Sequence, residues 1–208
     1  VTVSPSVIQQ FNRLAGEIHN DNVTAGWWHD LHSGELLNRN VGELLMLVVS
    51  ELAEACDGLD GNLMDDKLPH RRMMEVELAD AAIRLFDIAG AYDVNLSSTA
   101  FEIQDAGDEA LCDQTFFYMH SSVPSALMLI TRQCARALEG WRKDAWDAKL
   151  HWLKAFDVGI AAALLVVHEI AHVMGLDIAG AMTEKRAFNA TRADHRPENR
   201  RLAGGKKI

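Results

Sequence analysis

The chain is poor in residues that fix shape covalently or rigidly: three cysteines and four prolines in 208 residues. An odd set of thiols, Cys56, Cys112 and Cys134, without metal-ligand spacing argues against a disulfide framework. It points to reduced, buried thiols and a cytoplasmic setting. Basic residues are also in deficit, 20 Lys+Arg against 30 Asp+Glu for a formal charge of −10. That balance speaks against a broad nucleic-acid footprint, which needs many cations to neutralise phosphates. No basic start followed by an apolar run and a cleavage site is found, so no secretory leader is expected. The most apolar stretch, 158–176, is interrupted by His168, Glu169 and His172, which predicts a buried core helix and no membrane span.

Period-2 alternation is missing as well, which leaves helices as the building material. Helical spacing of apolar residues predicts segments at 5–20, 41–57, 71–92, 98–110, 124–141, 145–174 and 178–193. Turn chemistry collects at 21–39 and 58–70, and the polar stretch 196–208 is expected to be a mobile tail. With 49% hydrophobic residues the chain can bury a substantial core, and a single all-α domain over 1–208 is expected.

Two acidic doublets stand out against this apolar background, Glu51-Leu-Ala-Glu54 and Glu77-Leu-Ala-Asp80. Residues three apart share a helix face, so each doublet projects two carboxylates together. Four carboxylates converging from two helices would form a hard oxygen site suited to Mg²⁺. Left uncompensated in an interior, they would cost several kcal/mol each, on the order of buried unpaired charges.

The chain also aligns with itself. Residues 43–96 superpose on 125–178 at a constant displacement of 82, with no gap and 14 of 54 positions identical. Identities include Leu45-Met46-Leu47 with Leu127-Met128-Leu129, Gly58 with Gly140, Lys67-Leu68 with Lys149-Leu150, and Ile88-Ala89 with Ile170-Ala171. All four acids are lost in the second copy: Glu51 maps to Gln133, Glu54 to Arg136, Glu77 to Gly159 and Asp80 to Ala162. The expected architecture is a helical bundle of two tandem units, the first catalytic and the second supporting.

The pattern Glu51-x-x-Glu54 … Glu77-x-x-Asp80 on two helices resembles the all-α nucleoside triphosphate pyrophosphohydrolases, the MazG-like group that includes all-α dUTPases and dCTPases. The segments Gly26-Trp27-Trp28-His29-Asp30, Asn62 to Arg71, and Lys185-x-x-x-Asn189-x-x-Arg192-Ala-Asp-His195 look similar to a MazG-like subgroup. The intervening second unit departs from single-unit relatives and looks like the half-inactive duplications of all-α dUTPases.

The resemblance implies Mg²⁺-dependent hydrolysis of nucleoside triphosphates to monophosphate and pyrophosphate, with Mn²⁺ able to substitute. Glu51, Glu54, Glu77 and Asp80 would be metal ligands, and Glu51 would also activate the water. Lys185 and Arg192, two helical turns apart with Asn189 between them, would bind phosphates and sugar or base. Arg84, one turn past Asp80, would reach a carboxylate or phosphate; Trp27 and Trp28 would form a stacking wall for the base. The expected partner is the nucleotide alone, with no nucleic acid and no membrane, and a homodimer is left open.

Two other classes compete. His168-Glu169-Ile-Ala-His172 fits the HExxH pattern of zinc peptidases, but position 178, where an extended form would place a third histidine, is Ile178. A noncatalytic helical interaction module is the other alternative, and it leaves the one-sided survival of the acids unexplained.

Overall fold

The computed structural model describes residues 3–107, 122–202 and 204–205; Cys112 and the last three residues lie outside them. The described chain is helical, with no strand among the described residues. Its elements are α1 (Pro5–Ile8), α2 (Phe11–Thr24), α3 (Val41–Asp60), α4 (Met73–Ala91), α5 (Leu96–Asp105), α6 (Val123–Lys143), α7 (Ala155–Met174), α8 (Ile178–Thr191), a 3₁₀ turn at Ala193–His195 and α9 (Pro197–Arg200).

Local chemistry sets the helix starts. The side chains of Asn40, Asn95, Ser122 and Asp177 each accept a hydrogen bond from a first-turn backbone N–H of α3, α5, α6 and α8 respectively, which satisfies one of the donors a helix start leaves open. The expected single helix over 5–20 is broken after Ile8. The Ser97 hydroxyl donates to Ile8 O (2.7 Å) and accepts from Asn12 N (3.4 Å), so it occupies the rung that would join those two residues in a continuous helix.

The expected helix over 145–174 starts instead at Ala155. Asp144 ends α6 in the left-handed region at φ 48°. Asp147 Oδ1 then accepts from both Lys149 N and Leu150 N at 3.0 Å, and Trp146 bridges to Lys154. Such side-chain-to-backbone bonds draw the chain into a turn and away from helix. The α3–α4 connection is built the same way: Asn62 at φ 47°, Asp65 Oδ1 accepting from Lys67 N and Leu68 N, and Met64 bridged to Arg72. Every one of these positions is displaced by 82 from its counterpart.

Helix α4 packs against α2, α3, α7 and α8, while α6 and α7 pair with one another and meet the first hairpin through α3–α6 and α4–α7 contacts. One continuous core results, from Ile8 and Phe11 through Leu78, Leu85 and Ile88 to Ile130, Ile160 and Ile170. Helix α7 has the length and apolar composition to cross a membrane, yet most of it is buried in this bundle. Cys56 is half-buried and Cys134 buried, both as free thiols.

The two hairpins differ in the side chains that line the seam between their helices. A Cβ on Gly159 would lie 2.7 Å from Ala137 Cβ and 2.8 Å from Ala137 N, so glycine allows α6 and α7 to touch backbone to backbone where α3 and α4 carry Glu77. Ala162, in the place of Asp80, is fully buried. The interhelix space that holds acids in the first hairpin is thus filled by helix contact in the second.

Candidate metal and phosphate site

A cleft of about 400 Å³ opens between α3, α4 and α8. At its base Glu51, Glu77 and Asp80 each present an oxygen, all within 4.8 Å of one another. Glu51 and Glu77 are only 6% and 3% exposed, so the i, i+3 geometry of α4 and the facing turn of α3 bring the acids together beneath the surface. Glu54 lines the same cleft one turn along α3, exposed and outside that three-oxygen cluster.

Two cations are built into the base of the cleft. Lys185 Nζ lies 2.7 Å from Asp80 Oδ2, with the lysine side chain 3% exposed. Arg84 places Nη2 at 2.6 Å and Nε at 2.7 Å from the same atom, Glu51 Oε1. Lys185 is held in register by its neighbour. Glu184 accepts from Arg71 at 2.7 and 3.0 Å, and Arg71 also bonds Glu75 and Asp177. This clamp fixes α8 against the start of α4, and it holds the exposed Glu184 carboxyl down at about 2.

Burial, then the neighbouring carboxylates, push Glu77 up from 4.5 to about 8 despite the opposing pull of Lys185. Asp80 is also raised, burial again leading, with Lys185 opposing. Glu77 therefore holds a proton at neutral pH that the unfolded chain would release. Between about pH 4.5 and 8 the native state binds more protons than the unfolded state, so metal-free stability falls as pH rises through this window. A divalent cation binding at pH 7 should expel that proton. Calorimetry in buffers of differing ionisation enthalpy should register a net release near one proton per chain, and Glu77→Gln should remove it; a buffer-independent heat in the native protein would refute this.

The remaining expected residues divide. Asn189 and Arg192 line the cleft; Asn189 Oδ1 is buried without a partner, and Arg192, beyond the end of α8, pairs with Asp194 at 2.5 Å. Of the tryptophan pair, Trp27 is on the cleft wall. Trp28, expected to face a base, is instead buried behind it, its indole N–H donating to Asp87 Oδ1 at 3.0 Å, so it offers no stacking surface to the cleft.

The stretch after Arg196, expected to be a mobile tail, is docked as far as it is described. Arg200 is 1% exposed, its guanidinium carbon 3.6 Å above the Trp27 ring and its Nη1 donating to Gly26 O. Arg201 bonds Leu31 O. The C-terminal segment thus backs the Trp27 wall.

Sequence reasoning missed Arg39, Lys67, Asp87 and Asn22, which also line the cleft. Asp87 was within reach, since Asp80, Arg84 and Asp87 fall on one helical face. Lys67 was obscured because its counterpart is also lysine, Lys149.

His168 and Glu169 are half-buried near the end of α7 and His172 is exposed. Burial, then the nearby His172, lowers the His168 pKa. Among the described residues the cluster able to hold a metal through three His, Cys, Asp or Glu side chains is Glu51, Glu77 and Asp80, not this pair. Comparison of the chain with protein-family models, with curated proteins and with solved structures found no match.

Proposed function

We propose that this chain is a MazG-like nucleoside triphosphate pyrophosphohydrolase with one catalytic centre, in the first of two tandem helical units. The observation that carries the reading is the trio of buried Glu51 and Glu77 with half-buried Asp80, all ligand oxygens within 4.8 Å, in a cleft that also holds cations. An all-carboxylate set of this kind fits a hard divalent cation such as Mg²⁺, or Mn²⁺ in its place, better than zinc, which favours histidine and thiolate. Lys185 and Arg84 balance Asp80 and Glu51 while Glu77 keeps its proton, and a divalent cation would allow all three acids to be charged at once.

The cleft lining combines two kinds of chemistry: the acids with Lys185 and Lys67, and the apolar or aromatic Leu44, Leu47, Ile83 and Trp27. A charged phosphate chain suits the first environment and a flat, partly apolar base the second. Glu51, Glu54, Glu77 and Asp80 would hold the metal. When bound, a divalent cation there neutralises phosphate charge and lowers the pKa of a coordinated water. Glu51 would orient the attacking water and accept its proton, Lys185 and Arg192 would face the phosphates, and Asn189 would meet the sugar or base.

The test is a panel of ribo- and deoxynucleoside triphosphates incubated with Mg²⁺, with pyrophosphate and orthophosphate assayed separately. At least one nucleotide should yield monophosphate and pyrophosphate in equal amounts. Absence of pyrophosphate across the whole panel, or release of orthophosphate alone, would remove the assignment.

A further inference from the structure

The two cations at the base of the cleft are held in different ways. Lys185 is 3% exposed and anchored by the Arg71–Glu184 clamp beside it. Arg84 is 32% exposed, lines the open cleft, and directs both of its close contacts to one oxygen, Glu51 Oε1. A carboxylate oxygen has two lone pairs. With Nε–H bonded to Oε1 and Nη2 2.6 Å from it, that atom is crowded against a metal, and the guanidinium charge would repel an arriving dication.

The second hairpin indicates that Arg84 serves the acids and not the packing. Where Glu51 becomes Gln133, Arg84 becomes Val166, which is buried in the continuing core. The helix pair closes without an ion pair at this level, so the frame itself does not require the arginine.

We propose that Arg84 is an exchangeable place-holder: in the metal-free protein it neutralises Glu51, and on metal binding it leaves that carboxylate and turns its donors to the phosphate chain. This rests on the metal site of the proposed function and adds an order of events to it. Lys185 is the fixed cation and Arg84 the transferable one. The guanidinium fork that matches a carboxylate also matches a phosphate, and Arg39 on the same cleft adds a second positive charge whose repulsion a phosphate chain would relieve. Metal and phosphate should therefore bind cooperatively, each favouring the state in which Glu51 is free and Arg84 needs a new acceptor.

Binding of Mn²⁺ alone to the full chain, followed by electron paramagnetic resonance at fixed pH and ionic strength, reads this without turnover. In the native protein, added inorganic pyrophosphate should tighten Mn²⁺ binding beyond its effect in protein-free buffer. Arg84→Met, checked for native helicity, should bind Mn²⁺ alone about tenfold more tightly, the scale of one removed unit-charge competitor at an intermediate dielectric, and should lose the pyrophosphate effect. Arg84→Lys keeps the charge without the fork and should remain close to native for Mn²⁺ alone. Equal or weaker Mn²⁺ binding by Arg84→Met, or an undiminished pyrophosphate effect, would overturn the exchange while leaving the metal site standing. If the native protein binds no Mn²⁺, or Glu51→Gln binds it as well as native, the metal site fails and the exchange with it.

Discussion

Replacing Glu51 by glutamine is expected to cut Mg²⁺-dependent pyrophosphate release by on the order of 10³-fold, with far-UV circular dichroism unchanged and the thermal midpoint equal to or above native. The chain itself indicates that the helical frame accepts this side chain. Gln133 stands at the aligned position of α6, buried at 4% exposure between well-packed helices. The substitution keeps shape and removes a buried charge that opposes ionisation of Asp80. Its cost is the loss of the Arg84 partner, and at 32% exposure Arg84 can turn to water. Function should respond in the opposite direction, because an amide is a poor ligand for a hard dication and cannot take a proton from water. Retention of more than about a tenth of native turnover would place the proton acceptor elsewhere. Lost helicity would mean that the comparison with Gln133 misjudges the site.

The readable part of this fold was whatever one helix encodes by itself. The apolar periods of α3, α4 and α7 and the i, i+3 acid spacing are local, and three of the four acids came together while Glu54 stayed exposed outside their cluster. The matching turns at Asp65 and Asp147 are local in the same sense, each encoded within a few residues. Features made between distant segments were not legible. The break after Ile8 depends on a hydroxyl 89 residues away. The docking of Arg200 on Trp27 joins residues whose contact no spacing rule anticipates, whereas a pairing of Arg84 with one of the site carboxylates was expected and is made with Glu51. The start of α7 was misplaced through apolar content. Ala145, Trp146 and Leu150 read as helix until the Asp147 turn is seen to hold the backbone N–H groups of Lys149 and Leu150.

Lys185→Met should have the largest effect on stability, and its dependence on pH and metal separates charge from packing. Methionine keeps most of the buried stem, so the loss is mainly the ammonium 2.7 Å from Asp80. Removing one partner of a buried pair costs about 3–5 kcal/mol, which for a chain of this size lowers the midpoint by roughly 10 °C. The sign with pH follows from Asp80. Burial already raises its folded pKa above the ordinary 3.8, and Lys185 is the leading opposing influence, so removing the lysine raises it further. Stability tied to a raised carboxyl pKa is fully present below the unfolded value and is lost as pH rises through the folded value. The deficit of the variant should therefore shrink as acid protonates Asp80 and grow toward pH 8. Mg²⁺ should then recover part of it, since a ligand at 100 times its Kd contributes about 2.7 kcal/mol to the state that binds it. Paired thermal melts at pH 4 and 8, with Mg²⁺ and with chelator, measure both effects. A deficit equal at the two pH values and indifferent to Mg²⁺ would make Lys185 a packing residue and would detach it from the acids it touches.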